Sequence, residues 1–169
     1  SATMDLAELR TAVVEVKSRT SKPFGVNLRA DSSDVEARID LMIESGVRVA
    51  SFAQAPKAHL IERLHDGGVL VIPSIGATRH AEKVLDWGGD AVLVQGGEGG
   101  GHTGSVPTSL LLPQVVDTVA GRVPVIAAGG YFDGRGLVSA LAYGADAIAM
   151  GTRFLLTSDS AVPGAVKNF

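Results

Sequence analysis

The chain has 169 residues, of which 46% are hydrophobic and 20% are charged, and its formal net charge at pH 7 is −3. This composition excludes an intrinsically disordered chain, and the negative balance provides no basic surface for nucleic acid or an anionic membrane. There is no apolar run near the roughly 20 residues that a membrane span requires, and there is no cysteine. We expect a cytoplasmic globular protein with a small-molecule substrate and no nucleic-acid or membrane partner; a homo-oligomer is compatible with this composition.

Predicted helices and strands alternate along the whole chain. Apolar residues at helical spacing predict helices, and short apolar runs bounded by Gly or Pro predict strands. In chain order the prediction is helix 5–20, strand 24–28, helix 34–45, strand 47–52, helix 58–65, strand 69–73, helix 78–87, strand 91–94, helix 108–119, strand 123–127, helix 136–143 and strand 147–150.

The spacing of the predicted strands indicates the fold class. Most successive strand centres are 22 or 23 residues apart, and one longer step follows the fourth strand. Such a period is typical of right-handed βαβ crossovers in a parallel sheet, and units of similar length favour a closed (β/α)8 TIM barrel. A (β/α)8 barrel needs eight βα units, and this sequence supplies about six. We therefore expect residues 1–169 to be part of a single barrel domain whose N- and C-terminal parts lie outside this sequence.

A glycine-rich stretch follows the fourth predicted strand. It reads Gln95-Gly-Gly-Glu-Gly-Gly-Gly-His-Thr-Gly104. Ordering so many glycines is entropically costly. Glycine is nevertheless required where a flat ligand lies close to the backbone or where a turn has a positive φ. An imidazole just beyond a strand end can transfer protons near neutral pH, so His102 is the candidate acid/base.

Ligands of parallel α/β folds bind at the carboxyl ends of the strands. Glycines follow the last two predicted strands at Gly129-Gly130 and at Gly151, which precedes Thr152. Glycine lets an anion approach backbone N–H groups, so this pattern favours a phosphate site. The alternative is that these glycines only form short turns between strand and helix.

Several of these motifs together resemble the nitronate monooxygenase family. The family was formerly called 2-nitropropane dioxygenase and includes FMN-dependent enoyl reductases. The similar segments are Gln95–Gly104, Pro124-Val-Ile-Ala-Ala-Gly-Gly130, Gly144-Ala-Asp-Ala with Met150-Gly-Thr-Arg-Phe154, and Phe24-Gly-Val-Asn-Leu28. The resemblance implies an FMN-binding TIM barrel in which Gly129, Gly130, Gly151 and Thr152 hold the FMN phosphate.

The same resemblance implies roles for the other strand ends. Asn27 and Gln95 would lie along the flavin, Gly100 and Gly101 would allow its close approach, and His102 would be the catalytic acid/base. Ser74 would also contact the cofactor. It stands where some relatives carry a flavin-contacting lysine, so this position departs from the nitronate-oxidising pattern.

Three functions follow from these interpretations. The first is FMN-dependent oxidation of nitronates or nitroalkanes by O2. The second is an NAD(P)H-dependent flavin reductase or dehydrogenase acting on an enoyl- or acyl-CoA-type thioester. The third is a phosphate-binding barrel enzyme without flavin, or an inactive fragment. We expect no metal site, because the four histidines are scattered; His80 is expected to face solvent and Trp87 to pack in the core.

Overall fold

The computed structural model describes residues 4–101 and 104–167. Helices and strands alternate along these ranges. In chain order they are α1 (Leu6–Arg19), β1 (Gly25–Leu28), α2 (Val35–Glu44), β2 (Val49–Phe52), α3 (Ala58–Asp66), β3 (Leu70–Ile75), α4 (Thr78–Asp86), β4 (Val92–Gln95), α5 (Thr108–Val119), β5 (Val125–Ala128), α6 (Gly134–Ala142), β6 (Ala147–Ala149), α7 (Thr152–Leu155) and α8 (Gly164–Lys167).

The six strands form one parallel sheet in which the spatial order is the order along the chain, β1-β2-β3-β4-β5-β6. Every crossover therefore leads to the adjacent strand. A doubly wound sheet would reverse its strand order at a switch point, whereas a TIM barrel adds its strands in sequence. The prediction of six successive units of a (β/α)8 barrel is confirmed: the sheet is a half-barrel.

The two faces of the sheet have different environments. Alternate residues such as Val26, Leu28, Ala50 and Phe52 are buried, and they form one apolar cluster with residues of α1 to α3. A second cluster joins β3 to β6 with α4 to α6. The strand residues that alternate with these buried ones face the inside of the barrel. Burial of one face under helices explains the apolar runs from which the strands were predicted.

The predicted and observed boundaries of β3 differ at its carboxyl end. This strand continues two residues beyond the predicted end at Pro73, because Ser74 and Ile75 pair with Leu93 and Val94 of β4. The short helices α7 and α8 were not predicted, since four residues are too few to display a helical period.

Two aspartates bind backbone groups at the amino ends of the strands. The Asp90 carboxylate accepts a hydrogen bond from Val71 N at 2.7 Å, and Asp146 does the same for Val125 N at 2.8 Å. Their own N–H groups donate to the carbonyls of the same two valines. These aspartates therefore join neighbouring strands at the end opposite the predicted ligand site. No helix within the described ranges has the length and apolarity that a bilayer crossing requires.

Candidate functional site

Polar side chains lie on the inner face of the sheet, near the carboxyl ends of its first four strands. Asn27, Ser51, Ser74 and Gln95 occupy inner-face positions on β1 to β4. Asn27 Nδ2 donates to Ser51 Oγ at 3.1 Å across the paired strands. The resemblance implied cofactor contacts for Asn27, Ser74 and Gln95, and Ser51 is the partner that orients Asn27. The mouth of the half-barrel is thus lined with hydrogen-bonding groups.

Gln95 connects the inner face to the glycine-rich loop. Its Nε2 donates to the Gly100 carbonyl at 2.9 Å. The resemblance implied that Gln95 lies along the flavin, which stays a prediction. In the structure this bond holds the loop against the end of β4. Gly100 and Gly101 are exposed, and a Cβ at either position would meet no atom within 4 Å. Their backbone therefore borders open space, as close approach of a flat ligand requires.

Glu98 caps the helix that follows the glycine-rich loop. Its carboxylate accepts hydrogen bonds from the Thr108 backbone N–H at 2.9 Å and the Thr108 hydroxyl at 2.7 Å. Thr108 is the buried first residue of α5, and the N-cap residue Pro107 makes no side-chain cap bond. These hydrogen bonds lower the pKa of Glu98. The bond from the Thr108 hydroxyl contributes most, and the bond from the Thr108 backbone N–H contributes next. Glu98 thereby holds the glycine-rich loop against α5.

We expect Glu98→Ala to reduce the free energy of unfolding by about 1 to 2 kcal/mol, because a helix cap is lost and the buried Thr108 donors lose their acceptor. Glu98→Gln keeps one acceptor oxygen and should lose less. The difference in the free energy of unfolding between wild type and Glu98→Ala should be fully present above the ordinary glutamate pKa of 4.5. It should disappear as the pH falls through the lowered pKa of Glu98 in the folded state. Urea unfolding at several pH values measures this, and equal stability of Glu98→Ala and wild type at pH 7 would contradict the cap.

The glycines after β5 pack against the glycine-rich loop. Gly129 has a φ of +100°, and a Cβ there would lie 3.1 Å from Gly99 N and 3.2 Å from Gly96 O. Gly130 has a φ of +79°, and its Cβ would lie 3.3 Å from Glu98 Cβ. Turn geometry and loop packing thus account for glycine at both positions, so the phosphate role assigned to them stays a prediction.

Gly151 and Thr152 lie where β6 ends and α7 begins. Gly151 is the N-cap residue of α7 and Thr152 its first residue. Both are exposed, and a Cβ at Gly151 would meet nothing within 4 Å. Gly151 therefore leaves room for a ligand, in contrast to the packed Gly129. The open backbone at Gly100 and Gly101 after β4 and at Gly151 after β6, on either side of the loop that follows β5, fits a planar cofactor with an anionic tail.

His102, the predicted acid/base, and Thr103 lie outside the described residues. The chain resumes at Gly104, which packs closely against Gly76 at the end of β3. A Cβ on Gly104 would lie 2.4 Å from the Gly76 carbonyl oxygen, and one on Gly76 would lie 2.8 Å from Gly104 Cα. Only two glycines allow the backbones to pass at this distance. The sequence did not indicate this contact, since Gly76 and Gly104 are distant in the chain.

A cavity of about 620 Å³ opens beside this contact. Ser74, Gln95 and Gly104 line its inner end, and residues of α4, including His80, line its outer wall together with Trp87, the residue that follows this helix. Both are half-buried. The expectation that His80 faces solvent was therefore wrong: burial, followed by the charges of two neighbouring cationic side chains, lowers its pKa. Trp87 packs partly in the core, as predicted, but also contributes to the cavity.

The chain is similar to several known proteins. It is 67% identical, over 99% of its length and 47% of the relative's, to "(3aS,4S,5R,7aS)-5-hydroxy-7a-methyl-1-oxo-octahydro-1H-indene-4-carboxyl-CoA dehydrogenase" of Mycobacterium tuberculosis. Among solved structures it resembles FabK from Thermotoga maritima, with 40% identity and a TM-score of 0.92 over 98% of this chain and 52% of that one. It also resembles a nitroalkane oxidase from Streptomyces ansochromogenes, with 30% identity and a TM-score of 0.83 over 93% of this chain and 57% of that one.

The 169-residue chain thus spans about half the length of the proteins that it matches. The family model for nitronate monooxygenase matches residues 32–169, which include every strand from β2 onwards and the whole glycine-rich loop. This match covers far more than half of the chain and agrees with the resemblance of the strand-end motifs. The chain belongs to the nitronate monooxygenase family.

Proposed function

We propose that the protein is an FMN-dependent oxidoreductase acting on an acyl-CoA-type thioester. The observation that carries this proposal is the 67% identity, over 99% of the chain, to a protein named as a carboxyl-CoA dehydrogenase. The similarity to FabK at 40% identity is consistent with it, because the family that the motifs resemble includes FMN-dependent enoyl reductases.

The carboxyl end of the half-barrel is the proposed FMN site, within a single domain that includes residues 1–169. We assign the phosphate to Gly129, Gly130, Gly151 and Thr152. The flavin would lie near Asn27, Ser74, Gln95, Gly100 and Gly101. Two observations support this assignment: the backbone of Gly100, Gly101 and Gly151 borders open space, and Gln95 and Ser74 line the cavity at the same end of the sheet.

The proposed chemistry is the removal of two hydrogens from a hydroxyacyl thioester, or its reverse. The carbon that bears the hydroxyl loses a hydride and the oxygen loses a proton, which leaves a carbonyl group. Bound FMN supplies the acceptor of the hydride. His102 would take the proton, since a neutral imidazole is a suitable base near pH 7. NAD(P)+ or O2 would take the two electrons from the reduced flavin in this direction, and NAD(P)H would supply them when the reaction runs towards the reduced thioester.

Oxidation of nitronates or nitroalkanes by O2 is the second candidate. The observation that favours it is the similarity to the nitroalkane oxidase, with a TM-score of 0.83. The proposed site is compatible with this reaction, because His102 could balance the proton on the carbon next to the nitro group. Ser74, in place of the lysine of some relatives, departs from the nitronate-oxidising pattern and so argues against this candidate.

Anaerobic mixing of the purified, oxidised protein with one substrate at a time distinguishes the two candidates. We expect a hydroxyacyl-CoA thioester to bleach the visible flavin absorbance within the turnover time, and the anionic form of 2-nitropropane to bleach it far more slowly or not at all. Rapid bleaching by the nitronate, with none by the thioester, would reverse the assignment.

A further inference from the structure

The outer wall of the cavity carries a positive charge that the proposed chemistry does not use. Arg79, His80 and Lys83 of α4 line it, together with Trp87. Arg79 and Lys83 are one helical turn apart, so they occupy the same side of α4. No described residue that lines the cavity is an aspartate or a glutamate.

Arg79 and Lys83 are not among the cationic side chains that form ion pairs in the described part of the chain. Five arginines form ion pairs with carboxylates: Arg19, Arg29, Arg38, Arg63 and Arg135. None of the ion pairs found among residues 4–101 and 104–167 includes Arg79 or Lys83. Two positive charges at a cavity wall, with no carboxylate to neutralise them, favour an anionic ligand.

An aromatic surface lies directly beside these charges. The Lys83 ammonium nitrogen is 4.7 Å from the centroid of the Trp87 ring, and Trp87 is half-buried at the cavity wall. An indole offers a planar apolar contact to a ring system, and a guanidinium forms paired hydrogen bonds with phosphate oxygens. Phosphate-binding cations next to an aromatic plane match an adenine nucleotide better than an inorganic anion.

The cavity extends from the inner face of the sheet to the helix layer, as a long substrate requires. Ser74 and Gln95 at its inner end belong to the proposed flavin site, whereas Arg79, Lys83 and Trp87 belong to the helix layer outside the sheet. Its volume of about 620 Å³ lies within the range of about 300 to 1,000 Å³ that is usual for ligand pockets. A molecule with its reactive end at the sheet and its nucleotide on α4 would fit this arrangement.

We infer that α4 binds the phosphorylated adenosine of a coenzyme A thioester, with Arg79 and Lys83 on its phosphates and Trp87 beside its base. This inference rests on the proposed function, because it assigns the nucleotide end of the proposed substrate. NADPH also carries a phosphorylated adenosine, with its extra phosphate on the 2′ rather than the 3′ oxygen, so the tests compare both isomers.

Direct binding is the first test. Trp87 is the sole tryptophan of the 169 residues, so its fluorescence reports on the cavity wall. Titration of the purified protein with 3′,5′-ADP should change this fluorescence saturably and should bind more tightly than 2′,5′-ADP. The double variant Arg79→Gln/Lys83→Gln should bind 3′,5′-ADP about 10 to 100 times more weakly, since two charge-assisted contacts are lost. Tighter binding of 2′,5′-ADP would overturn the inference in favour of a dinucleotide.

Steady-state kinetics are the second test. In the double variant the KM for an acyl-CoA thioester should rise about 10- to 100-fold with little change in kcat, while the KM for the same acyl group on pantetheine, which lacks the phosphates, should stay the same. Arg10→Gln/Lys22→Gln is the control, because it removes the same charge from exposed residues that do not line the cavity. FMN content should be equal in all three proteins.

The outcomes separate this inference from the proposed function. If the thioesters are turned over but the double variant has a wild-type KM for both, the assignment of α4 is wrong and the proposed function stands. If neither thioester is a substrate and 3′,5′-ADP still binds in an Arg79- and Lys83-dependent way, the proposed reaction is wrong and the nucleotide site stands. Loss of FMN from the double variant alone would mean that these cations hold the cofactor, which would also overturn the inference.

Discussion

His102→Ala is expected to lower turnover by about 10² to 10⁴ while FMN stays bound, because a positioned acid/base contributes about this factor. The prediction depends on where the glycine-rich loop begins and ends. Gln95 holds the loop at Gly100, and Gly104 packs on Gly76 at the end of β3. Both anchors lie at the mouth of the half-barrel, where the proposed substrate would meet the flavin.

His59→Ala is the matched control for this experiment. His59 is exposed on α3 and does not line the cavity, so its removal should leave turnover unchanged. Flavin absorbance before and after gel filtration reports whether each variant keeps FMN. Wild-type turnover in His102→Ala would assign the proton transfer to another group, whereas a variant without FMN would assign His102 to cofactor binding.

Gly130→Val is expected to remove most of the bound FMN. Gly130 has a φ of +79°, which a β-branched residue rarely adopts, and its Cβ would already lie 3.3 Å from Glu98 Cβ. The added methyl groups would occupy space beside the backbone to which we assign the phosphate. The measurement is the ratio of FMN to protein after gel filtration, followed by titration of the colourless protein with FMN.

A control is needed because positive φ alone destabilises the fold. Gly121 has a φ of +73° and open space around its Cβ position, and it follows α5, at the end of that helix remote from the glycine-rich loop. Gly121→Val should therefore cost similar backbone strain yet keep FMN. Full FMN content in both variants would place the phosphate away from Gly130, and equal losses from both would attribute the effect to strain.

The fold could be predicted because its signals are local. Each buried strand is a short apolar run, and glycines end most helices, so the period of 22 or 23 residues is visible in the sequence. Helix α5 was predicted with its observed ends, 108 and 119. The strand ends then indicated which residues share one edge, and the structure places Asn27, Ser74 and Gln95 on the inner face near that edge.

The contacts between loops could not be predicted in this way. The cap that Glu98 forms on Thr108 spans ten positions and has no capping-box spacing. The contact of Gly76 with Gly104 joins two different βα loops. The positive wall of the cavity depends on which side of α4 faces the neighbouring loop, whereas the sequence shows only charged residues on a helix. All three features arise from tertiary packing, which a single sequence does not display.

The FMN content of the purified protein tests the central claim most directly. If the carboxyl end of this half-barrel binds FMN, the protein is yellow, and heat denaturation releases a flavin that is identified as FMN at one equivalent per chain. A colourless protein that takes up no added FMN would contradict the cofactor assignment and, with it, the proposed oxidoreductase chemistry.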